Sequence, residues 1–349
     1  MNTKRMYAFT EQEKKEALTE AVKLLRQGEI IAFPTETVYG LGANAFDYQA
    51  CAKIFVAKSR PADNPLIVHV SSVEEAKTVV REWPLQAEIC AREFWPGPLT
   101  LVLPKAGIIP DIVSAGLKTV AVRMPDHPLA LKLIEKAGFP IAAPSANISG
   151  KPSPTNGEHV WQDLAGKIPL LIDAGKCQVG LESTVLDLSG EIPLILRPGG
   201  VTFEQLRAIL GKVEIVESAT DERPRAPGIK YRHYAPGAEI VFVAGNREEK
   251  TSKFAELLSS NSSLKIAILC FEETAAVLKG IINKVDFIFT LGSEKKPSEA
   301  ARRLFEGLRS CDQEGIELIL AERIDEQGIG LALMNRLLLA AGKRKEGTI

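Results

Sequence analysis

The 349-residue sequence lacks the signatures of several large enzyme classes. It has no GxxxxGK(S/T) motif, which excludes a P-loop nucleotidase, and no HExxH or GxSxG motif, which excludes the common zinc peptidases and serine hydrolases. The four histidines do not pair with cysteines, so we expect no metal ion held by protein side chains. Gly328 and Gly330 lack the third glycine of a dinucleotide fingerprint. The chemistry of the chain must therefore come from other polar groups.

Cysteine and long apolar runs are also scarce. The five cysteines are scattered and form no CxxC pair, so we expect reduced, mostly buried thiols rather than disulfides or a zinc site. Apolar runs stay well short of the roughly 20 residues that a membrane span needs, and residues 1–15 lack the apolar segment of a signal peptide. The sequence therefore predicts a soluble, cytoplasmic protein with no membrane partner.

Neither sign of charge is in excess. The chain has 43 Lys and Arg against 44 Asp and Glu, and this net charge of −1 argues against coating of nucleic acid through global electrostatics. A local basic groove is compatible with this near-zero net charge. The 45% hydrophobic and 25% charged contents are typical of a globular protein, and the length predicts two domains.

The first two thirds of the chain predict an α/β domain. A helical pattern at 11–27 precedes a short buried strand at 30–33. Further apolar runs of strand length lie at 66–70, 99–103, 120–122, 141–143, 170–172, 185–188 and 194–196. Helical patterns such as 49–57 and 128–137 separate only some of these runs. Because other runs follow one another through short turns, we expect a mixed, twisted sheet with flanking helices in a domain spanning 1–216.

The composition changes at 217–238, where a polar, turn-rich stretch predicts a linker. Tyr231, His233 and Tyr234 are unusual in a passive tether, so we expect this linker to fold over the active site. Beyond it, helices alternate with strand patterns at 240–243, 266–270, 287–290 and 318–321. The alternation predicts a small C-terminal domain at 239–349, Rossmann-like, with a doubly wound parallel sheet.

Polar residues lie at the predicted strand ends of the first domain. The stretch 34–40 contains two threonines and a glutamate, and the turn at 58–65 carries Lys58 and Arg60 beside two prolines. Two cations held in a stiff turn near hydroxyl donors suit an anionic, phosphate-bearing ligand. Arg123 ends an otherwise apolar strand, and burying its guanidinium without an anion would cost several kcal/mol.

Each of these residues has a structural alternative when it is taken alone. Thr37 could cap a turn, and Lys58 and Arg60 could be solvated. His69 could be a hydrogen-bonded core residue, and Tyr234 could serve packing only. The functional interpretation is favoured because the polar elements recur together at successive strand ends of one sheet.

Taken together, the motifs resemble those of the YrdC-like threonylcarbamoyl-AMP synthases, in the long form with an added C-terminal domain. The matching stretches are 34–40, 58–66 with His69, 120–125, 144–150, 182–186, 197–199 and 227–236. They cover the first domain and the linker nearly end to end, whereas the C-terminal domain matches mainly by position and pattern. Ala226 stands where the family pattern has a serine.

The resemblance implies a nucleotidyltransferase, an L-threonylcarbamoyladenylate synthase, that combines L-threonine, bicarbonate and ATP into threonylcarbamoyl-AMP with loss of pyrophosphate. The product would serve the threonylcarbamoyl-adenosine modification of tRNA next to the anticodon. It also implies tRNA and downstream threonylcarbamoyl-transferase proteins as partners, and Mg2+ that accompanies ATP on phosphate oxygens and water. No residue is expected to act as a covalent nucleophile, so positioning and electrostatics would supply the acceleration.

The resemblance further implies the ligands of each substrate, residue by residue. Those expected at L-threonine are Thr37, His69, Arg123, Ala143 and Ser183. Those expected at ATP are Lys58, Arg60, Asn64, Thr119, Ser145, Ser153, Arg197 and Tyr234. Arg123 would pair with the threonine carboxylate through a two-point fork.

Two rival functions draw on the same residues. A non-catalytic RNA-binding α/β module would explain the basic side chains, but a near-neutral chain offers few further phosphate contacts and RNA binding has no use for a threonine-sized pocket. A transferase that uses carbamoyl phosphate shares the carbamate chemistry, but it would normally bring metal-ligand histidines or cysteines. We therefore favour the synthase.

Overall fold

The computed structural model describes residues 2–216, 234–279 and 285–342. The chain divides into two compact units, Met1–Ser149 with Ser153–Tyr231 and Gly150–Pro152 with Arg232–Ile349. The three residues Gly150–Pro152 thus belong to the second unit, although the chain on either side of them belongs to the first. The predicted linker at 217–238 lies outside the described residues up to position 233, and its folding over the active site stays a prediction.

The first unit is built on one mixed sheet. Its described strands are β1 (Lys4–Tyr7), β2 (Ile31–Phe33), β3 (Gly40–Asn44), β4 (Ile67–His69), β5 (Leu99–Pro104), β6 (Thr119–Arg123), β7 (Ile141–Ala143), β8 (Leu170–Asp173), β9 (Thr184–Asp187), β10 (Leu194–Arg197) and β11 (Glu214–Ile215). They are hydrogen-bonded in the order β1-β8-β2-β3-β7-β4-β6-β5-β9-β10-β11. β4 pairs with β6 in parallel and β5 pairs with β6 antiparallel, which confirms the predicted mixed sheet.

Helices flank this sheet and begin where the sequence supplies caps. The described helices of the unit are α1 (Glu11–Arg26), α2 (Tyr48–Lys58), α3 (Val73–Val79), α4 (Leu85–Phe94), α5 (Asp111–Ser114), α6 (Pro128–Ala137), α7 (Gly157–Leu164) and α8 (Phe203–Leu210). At α1, Thr10 Oγ1 accepts from Glu13 N while the Glu13 carboxylate accepts from Thr10 N, which satisfies two otherwise unpaired amides. Asp47 caps α2 in a similar way by accepting from two backbone amides.

The pleat of the sheet sorts side chains onto two faces, because successive residues of a strand point in opposite directions. In β2, Ile31 and Phe33 pack in a core cluster with residues of α1 and α6, whereas Ala32 joins the larger core on the other face. The α1–α6 layer covers one face over β1, β8, β2, β3 and β7. Over the remaining strands, the same face carries a smaller apolar cluster that includes Ile67 and Ala121.

The second unit contains a smaller sheet. Its described strands are β12 (Glu239–Val243), β13 (Ile266–Cys270), β14 (Phe287–Thr290) and β15 (Leu318–Glu322), and its described helices are α9 (Arg247–Ser260), α10 (Glu272–Leu278), α11 (Pro297–Gln313) and α12 (Ile329–Ala340). The strand order is β12-β15-β13-β14 and every recorded pairing is parallel. The connections from β12 to β13 and on to β14 run one way across the sheet, and the connection from β14 to β15 runs back. Because such crossovers are right-handed, α9 and α10 lie on one face and α11 on the other, which confirms the doubly wound domain.

Two predictions drawn from the composition can be compared with the structure. The five cysteines are Cys51, Cys90, Cys177, Cys270 and Cys311. All of them are buried and free, which confirms the predicted burial. Across residues 2–216, 234–279 and 285–342, the helices are too short or too polar to cross a membrane.

Candidate active site

Adjacent strands bring together three residues expected at threonine. β4 and β6 pair so that His69 lies opposite Arg123. Each follows an apolar cluster residue, Ile67 or Ala121, by two positions, so both side chains lie on the face that carries the smaller apolar cluster. Ala143 of β7 lies opposite Ile67 in the antiparallel pair of β4 and β7, which places it beside them.

The Arg123 guanidinium is buried and paired with a carboxylate. Nη2 of Arg123 donates to Glu36 Oε1 at 2.5 Å, and Nε donates to Gly97 O at 3.2 Å. The two side chains of this ion pair are only 4% and 3% exposed. The second oxygen, Glu36 Oε2, is also buried and has no hydrogen-bond partner among the described residues. Because a buried acceptor without a partner is costly, this oxygen is suited to accept from a ligand.

His69 is an uncharged ring beside this pair. Its Nδ1 lies 3.1 Å from Ile67 O, and the ring packs edge-on against Phe33 with centroids 6.2 Å apart. Burial, together with the positive charge of Arg123, lowers the pKa of His69 to about 3. Near neutral pH the ring therefore offers hydrogen bonding without a second positive charge.

The turn after β2 presents Thr37 on a fixed, buried backbone. Thr37 Oγ1 lies 2.9 Å from Thr35 Oγ1, which itself donates to Val38 O at 2.6 Å. The Thr35 proton is committed to Val38, so Thr37 is the donor in the hydroxyl pair and its own oxygen can still accept. Val179 N donates to Glu36 O at 2.7 Å and ties the turn to a distant segment.

Ser183, which is expected at threonine, is hydrogen-bonded to Arg197, which is expected at ATP. Arg197 Nη2 donates to Ser183 O at 2.8 Å and to Ser183 Oγ at 3.3 Å. Ser183 Oγ also lies 2.7 Å from Thr100 Oγ1. All three residues are buried, and one predicted ligand from each set, Ser183 and Arg197, belongs to this hydrogen-bonded group. Thr100 was not predicted, and its only sequence signal is a hydroxyl within an apolar strand.

Lys58 holds the loop that follows β7. Its ammonium donates to Ser145 O and Asn147 O, both at 2.5 Å, and to Asn147 Oδ1 at 3.2 Å. Ser145 Oγ donates in turn to Asn147 Oδ1 at 2.5 Å. Lys58 is only 1% exposed, which excludes the alternative that it is a solvated surface residue. The contribution of Lys58 at a nucleotide would therefore include fixing the backbone that carries Ser145.

The turn after α2 is closed by its own arginine. Arg60 Nη2 donates to Pro65 O at 3.0 Å and Nε donates to Asn64 O at 3.3 Å. Asn64 is buried, and its Oδ1 has no hydrogen-bond partner within the part of the chain that the structure describes. Thr119 begins β6 on the same face as Arg123, because four positions separate the two residues.

The remaining two predicted ATP ligands lie in different units. Ser153 is buried in the first unit, where its Oγ donates to Glu182 Oε1 at 2.5 Å. Tyr234 belongs to the second unit, where its ring stacks on Phe305 with centroids 5.1 Å apart and the Arg336 guanidinium lies 5.5 Å from its centre. The φ of Tyr234 is 62°, in the left-handed region that residues other than glycine rarely adopt. A role for Tyr234 at ATP stays a prediction.

The structure thus gathers all the other predicted ligands in the first unit and adds partners that the sequence did not assign. Glu36 accepts a hydrogen bond from Arg123, and Glu182 accepts one from Ser153. Both glutamates lie within the motif stretches 34–40 and 182–186. Their partners could not be identified from the motifs, because Glu36 and Arg123 are 87 positions apart and Ser153 and Glu182 are 29 apart.

Two protein-family models together match almost the whole chain. The Sua5/YciO/YrdC family model, described as Telomere recombination, matches residues 23–199. The model described as Threonylcarbamoyl-AMP synthase, C-terminal domain, matches residues 201–342. The two matches meet near position 200 and follow the order of the two units along the chain.

Individual relatives are similar over nearly their full length. The chain is 49% identical over 331 residues to the threonylcarbamoyl-AMP synthase of Pyrococcus abyssi, covering 93% of this chain and 94% of the relative. It is 45% identical over 330 residues to the protein of that name in Bacillus subtilis, covering 94% and 93%. The crystal structure of P. abyssi Sua5 complexed with L-threonine matches with a TM-score of 0.92 at 46% identity over 98% of each chain.

Proposed function

The chain belongs to the family of threonylcarbamoyl-AMP synthases, and on that premise we propose that it joins L-threonine, bicarbonate and ATP into L-threonylcarbamoyl-AMP, releasing pyrophosphate and water. In this reaction an adenylyl group passes from pyrophosphate to a carbamate oxygen, so the enzyme is a nucleotidyltransferase. The product is an activated threonine for the threonylcarbamoyl-adenosine modification of tRNA next to the anticodon. Its expected partners are accordingly tRNA and a transferase that takes up the product in the cytoplasm.

The observation that carries the proposal is the buried Arg123 beside His69, in a chain that matches a threonine-bound relative over 98% of its length. A guanidinium has five N–H donors, and among the described residues Glu36 and Gly97 take two of those on Arg123. The other donors suit the threonine carboxylate. The hydroxyls of Thr37 and Ser183 and the uncharged ring of His69 would complete the threonine site.

The amine of threonine must lose a proton before its nitrogen can take up CO2 as a carbamate. Glu36 Oε2 is a buried acceptor without a partner among the described residues, and it suits the amine N–H at this stage. Hydroxyl groups and a neutral imidazole can hold the carbamate without supplying the acidic proton of an imidazolium, since protonation promotes the loss of CO2 from a carbamate. A carbamate oxygen then attacks the α-phosphorus of ATP, and pyrophosphate leaves without a covalent enzyme intermediate.

The residues proposed to bind ATP would do so mostly by holding backbone segments in place and by providing buried positive charge. Lys58 orders the loop with Ser145, and Arg197 holds Ser183 at the boundary of the two substrates. Mg2+ would enter with ATP, because the residues that the structure describes contain no group of three or more His, Cys, Asp or Glu side chains that could hold a metal ion. This donor set fits a metal that is carried by phosphate oxygens and water rather than by the protein.

The proposal is tested by pyrophosphate release from the full-length protein with MgATP, L-threonine and bicarbonate. We expect release only when all three are present, and a product whose mass equals threonylcarbamoyl-AMP. Reactions that omit one substrate are the controls. Threonine-dependent release in bicarbonate-depleted buffer would indicate simple adenylation of the amino acid and would contradict the proposal. Nucleotide turnover that ignores threonine would contradict it as well.

A further inference from the structure

Thr100 is the one polar residue of β5, whose sequence is LTLVLP, and it is 0% exposed. Val102, two positions further along the strand, belongs to the smaller apolar cluster, so Thr100 lies on the face of the sheet that carries this cluster. His69 and Arg123 lie on that face as well. Because a buried hydroxyl is costly unless it is hydrogen-bonded, Thr100 needs a partner there.

Thr100 lies between two residues that are expected at threonine. The last pair recorded between β5 and β6 is Leu101 with Val122, so Thr100 and Arg123 are the next residues along these two antiparallel strands. On its other side β5 pairs with β9, which begins directly after Ser183. Thr100 is therefore a neighbour of Arg123 on one side and of Ser183 on the other.

The hydroxyl of Thr100 has one hydrogen-bond partner among the residues that the structure describes, Ser183 Oγ at 2.7 Å. Each of the two hydroxyls brings one proton, and only one of these protons can lie between the two oxygens. If Ser183 were the donor, the proton of Thr100 would be buried without an acceptor, which is costly. The shared proton therefore belongs to Thr100, and Ser183 keeps its own proton for another group.

The same contact fixes the direction of the Ser183 side chain. A serine side chain can adopt three staggered rotamers, and the bonds that Ser183 Oγ accepts from Thr100 and Arg197 hold it in one of them. Arg197 is itself held by the backbone, because its Nη2 and Nε donate to Ser183 O at 2.8 and 3.2 Å. Loss of the Thr100 hydroxyl would therefore free the Ser183 hydroxyl and leave Arg197 in place.

We propose that Thr100 is a positioning residue for L-threonine, whose hydroxyl donates to Ser183 Oγ and so directs the Ser183 proton to an oxygen of the substrate carboxylate. This inference rests on the proposed function, since it takes Ser183 and Arg123 to bind that substrate. The carboxylate is the acceptor because Arg123, the neighbour of Thr100 on the other side, is expected to bind it. Thr100 does not touch the substrate and acts through Ser183.

Steady-state kinetics of full-length variants test the proposal. Thr100→Val keeps the branched shape of the side chain but removes the hydroxyl, and we expect the KM for threonine to rise about tenfold while the KM for ATP stays unchanged. Thr100→Ser keeps the hydroxyl and should restore most of the difference. Thr3→Val is the matched control, because Thr3 is also buried and bonded through its hydroxyl but lies just before β1, at the edge of the sheet. Its KM values should equal those of the wild type.

A double variant shows whether Thr100 acts through Ser183. Ser183→Ala alone removes the hydroxyl that Thr100 positions, and it should raise the KM for threonine. Adding Thr100→Val to Ser183→Ala should cause no further rise, because the two residues then act as one unit. A further tenfold rise in the double variant would show that Thr100 acts independently of Ser183 and would overturn the inference.

The single variants are equally decisive. A wild-type KM for threonine in Thr100→Val overturns the inference, and so does an equal rise in the KM for ATP, which would indicate a merely structural role. If Thr100→Val does not fold, Thr100→Ala removes the same hydroxyl, and an unchanged KM for threonine has the same meaning.

Failure of the proposed function is recognised separately, as a wild-type protein without threonine-dependent pyrophosphate release. Calorimetric titration with L-threonine then decides between the variants. A weaker affinity in Thr100→Val than in the wild type and in Thr3→Val would support the positioning role, and equal affinities would overturn it.

Discussion

Glu36 Oε1 and Arg123 Nη2 form a buried ion pair at 2.5 Å that joins the turn after β2 to the end of β6. Arg123 lies at the end of β6, opposite His69 of the neighbouring strand β4. The charge of Arg123 is thus neutralised before a substrate arrives. The pair has consequences for both stability and binding, because removing one partner leaves the other buried and uncompensated.

The first prediction concerns stability. Glu36→Ala should lower the free energy of unfolding by about 3–5 kcal/mol, since it leaves the Arg123 guanidinium buried without an anion. Glu36→Gln keeps an acceptor and should cost less. Urea unfolding of both variants measures the difference, with Glu88→Ala as the control because Glu88 pairs with Lys77 at the surface. Equal losses in Glu36→Ala and Glu88→Ala would contradict the importance of the pair.

The second prediction separates binding from stability at Arg123. Arg123→Met should lower threonine affinity by about tenfold or more, because it removes charge-assisted hydrogen bonds to the carboxylate, while ATP affinity should change little. The double variant Glu36→Gln with Arg123→Met removes both charges and should regain stability without regaining threonine affinity. Calorimetric titration with each substrate gives the affinities. Threonine binding that recovers together with stability would remove Arg123 from the threonine site.

The third prediction concerns the loop after β7. Lys58→Met removes the donor that holds Ser145 O and Asn147 O, so the KM for ATP should rise about tenfold or more, with a smaller effect on threonine. Lys53→Met is the matched control, because Lys53 lies on the same helix and pairs with Glu29 at a half-exposed site. Pyrophosphate release at limiting ATP measures the effect. If both variants behave alike, the buried ammonium does not support nucleotide binding.

The fourth prediction concerns the close approach of two backbone segments beside Ser183. A Cβ added at Gly199 would lie 2.3 Å from Thr184 N and 2.4 Å from Glu182 O, so Gly199→Ala must displace the segment that carries Ser183. We expect a loss of about 1–3 kcal/mol in stability and weaker threonine binding. At Gly190 an added Cβ meets no atom within 4 Å, so Gly190→Ala should match the wild type. Thermal unfolding and threonine titration of the two variants compare them directly, and identical results would contradict the tight packing.

The fifth prediction is a pH dependence. An unfolded histidine binds a proton near pH 6.5, whereas the buried, folded His69 has a pKa of about 3. Between these values the unfolded state holds more protons, so stability falls as the pH is lowered through this window, by up to about 1.4 kcal/mol per pH unit from this residue. His69→Asn should flatten the dependence. Because burial also lowers the pKa of His127, the measurement is the difference between wild type and variant in urea unfolding at pH 7 and 5.5. Parallel curves would contradict a neutral, buried His69.

The local pattern of apolar and polar residues was sufficient to predict most of the secondary structure. The apolar runs at 66–70 and 141–143 became β4 and β7, and the alternating C-terminal pattern became the parallel sheet. β3 was missed because its sequence contains two glycines, which are poor strand formers. The structure explains the choice of glycine, since a Cβ at Gly42 would lie 2.6 Å from Ile141 Cγ2 and 2.7 Å from Phe33 Cε1. That requirement comes from neighbouring strands and cannot be seen locally.

The sequence by itself determined which elements form and which polar motifs stand at their ends, because hydrophobic periodicity and turn chemistry act over a few residues. Only the tertiary structure decided how those motifs are joined. The strand order pairs Glu36 with Arg123, and Lys58 binds the backbone carbonyls of Ser145 and Asn147. Every residue has a carbonyl oxygen, so the choice of one as a partner leaves no mark in the sequence. It follows from packing across segments that are distant in the sequence.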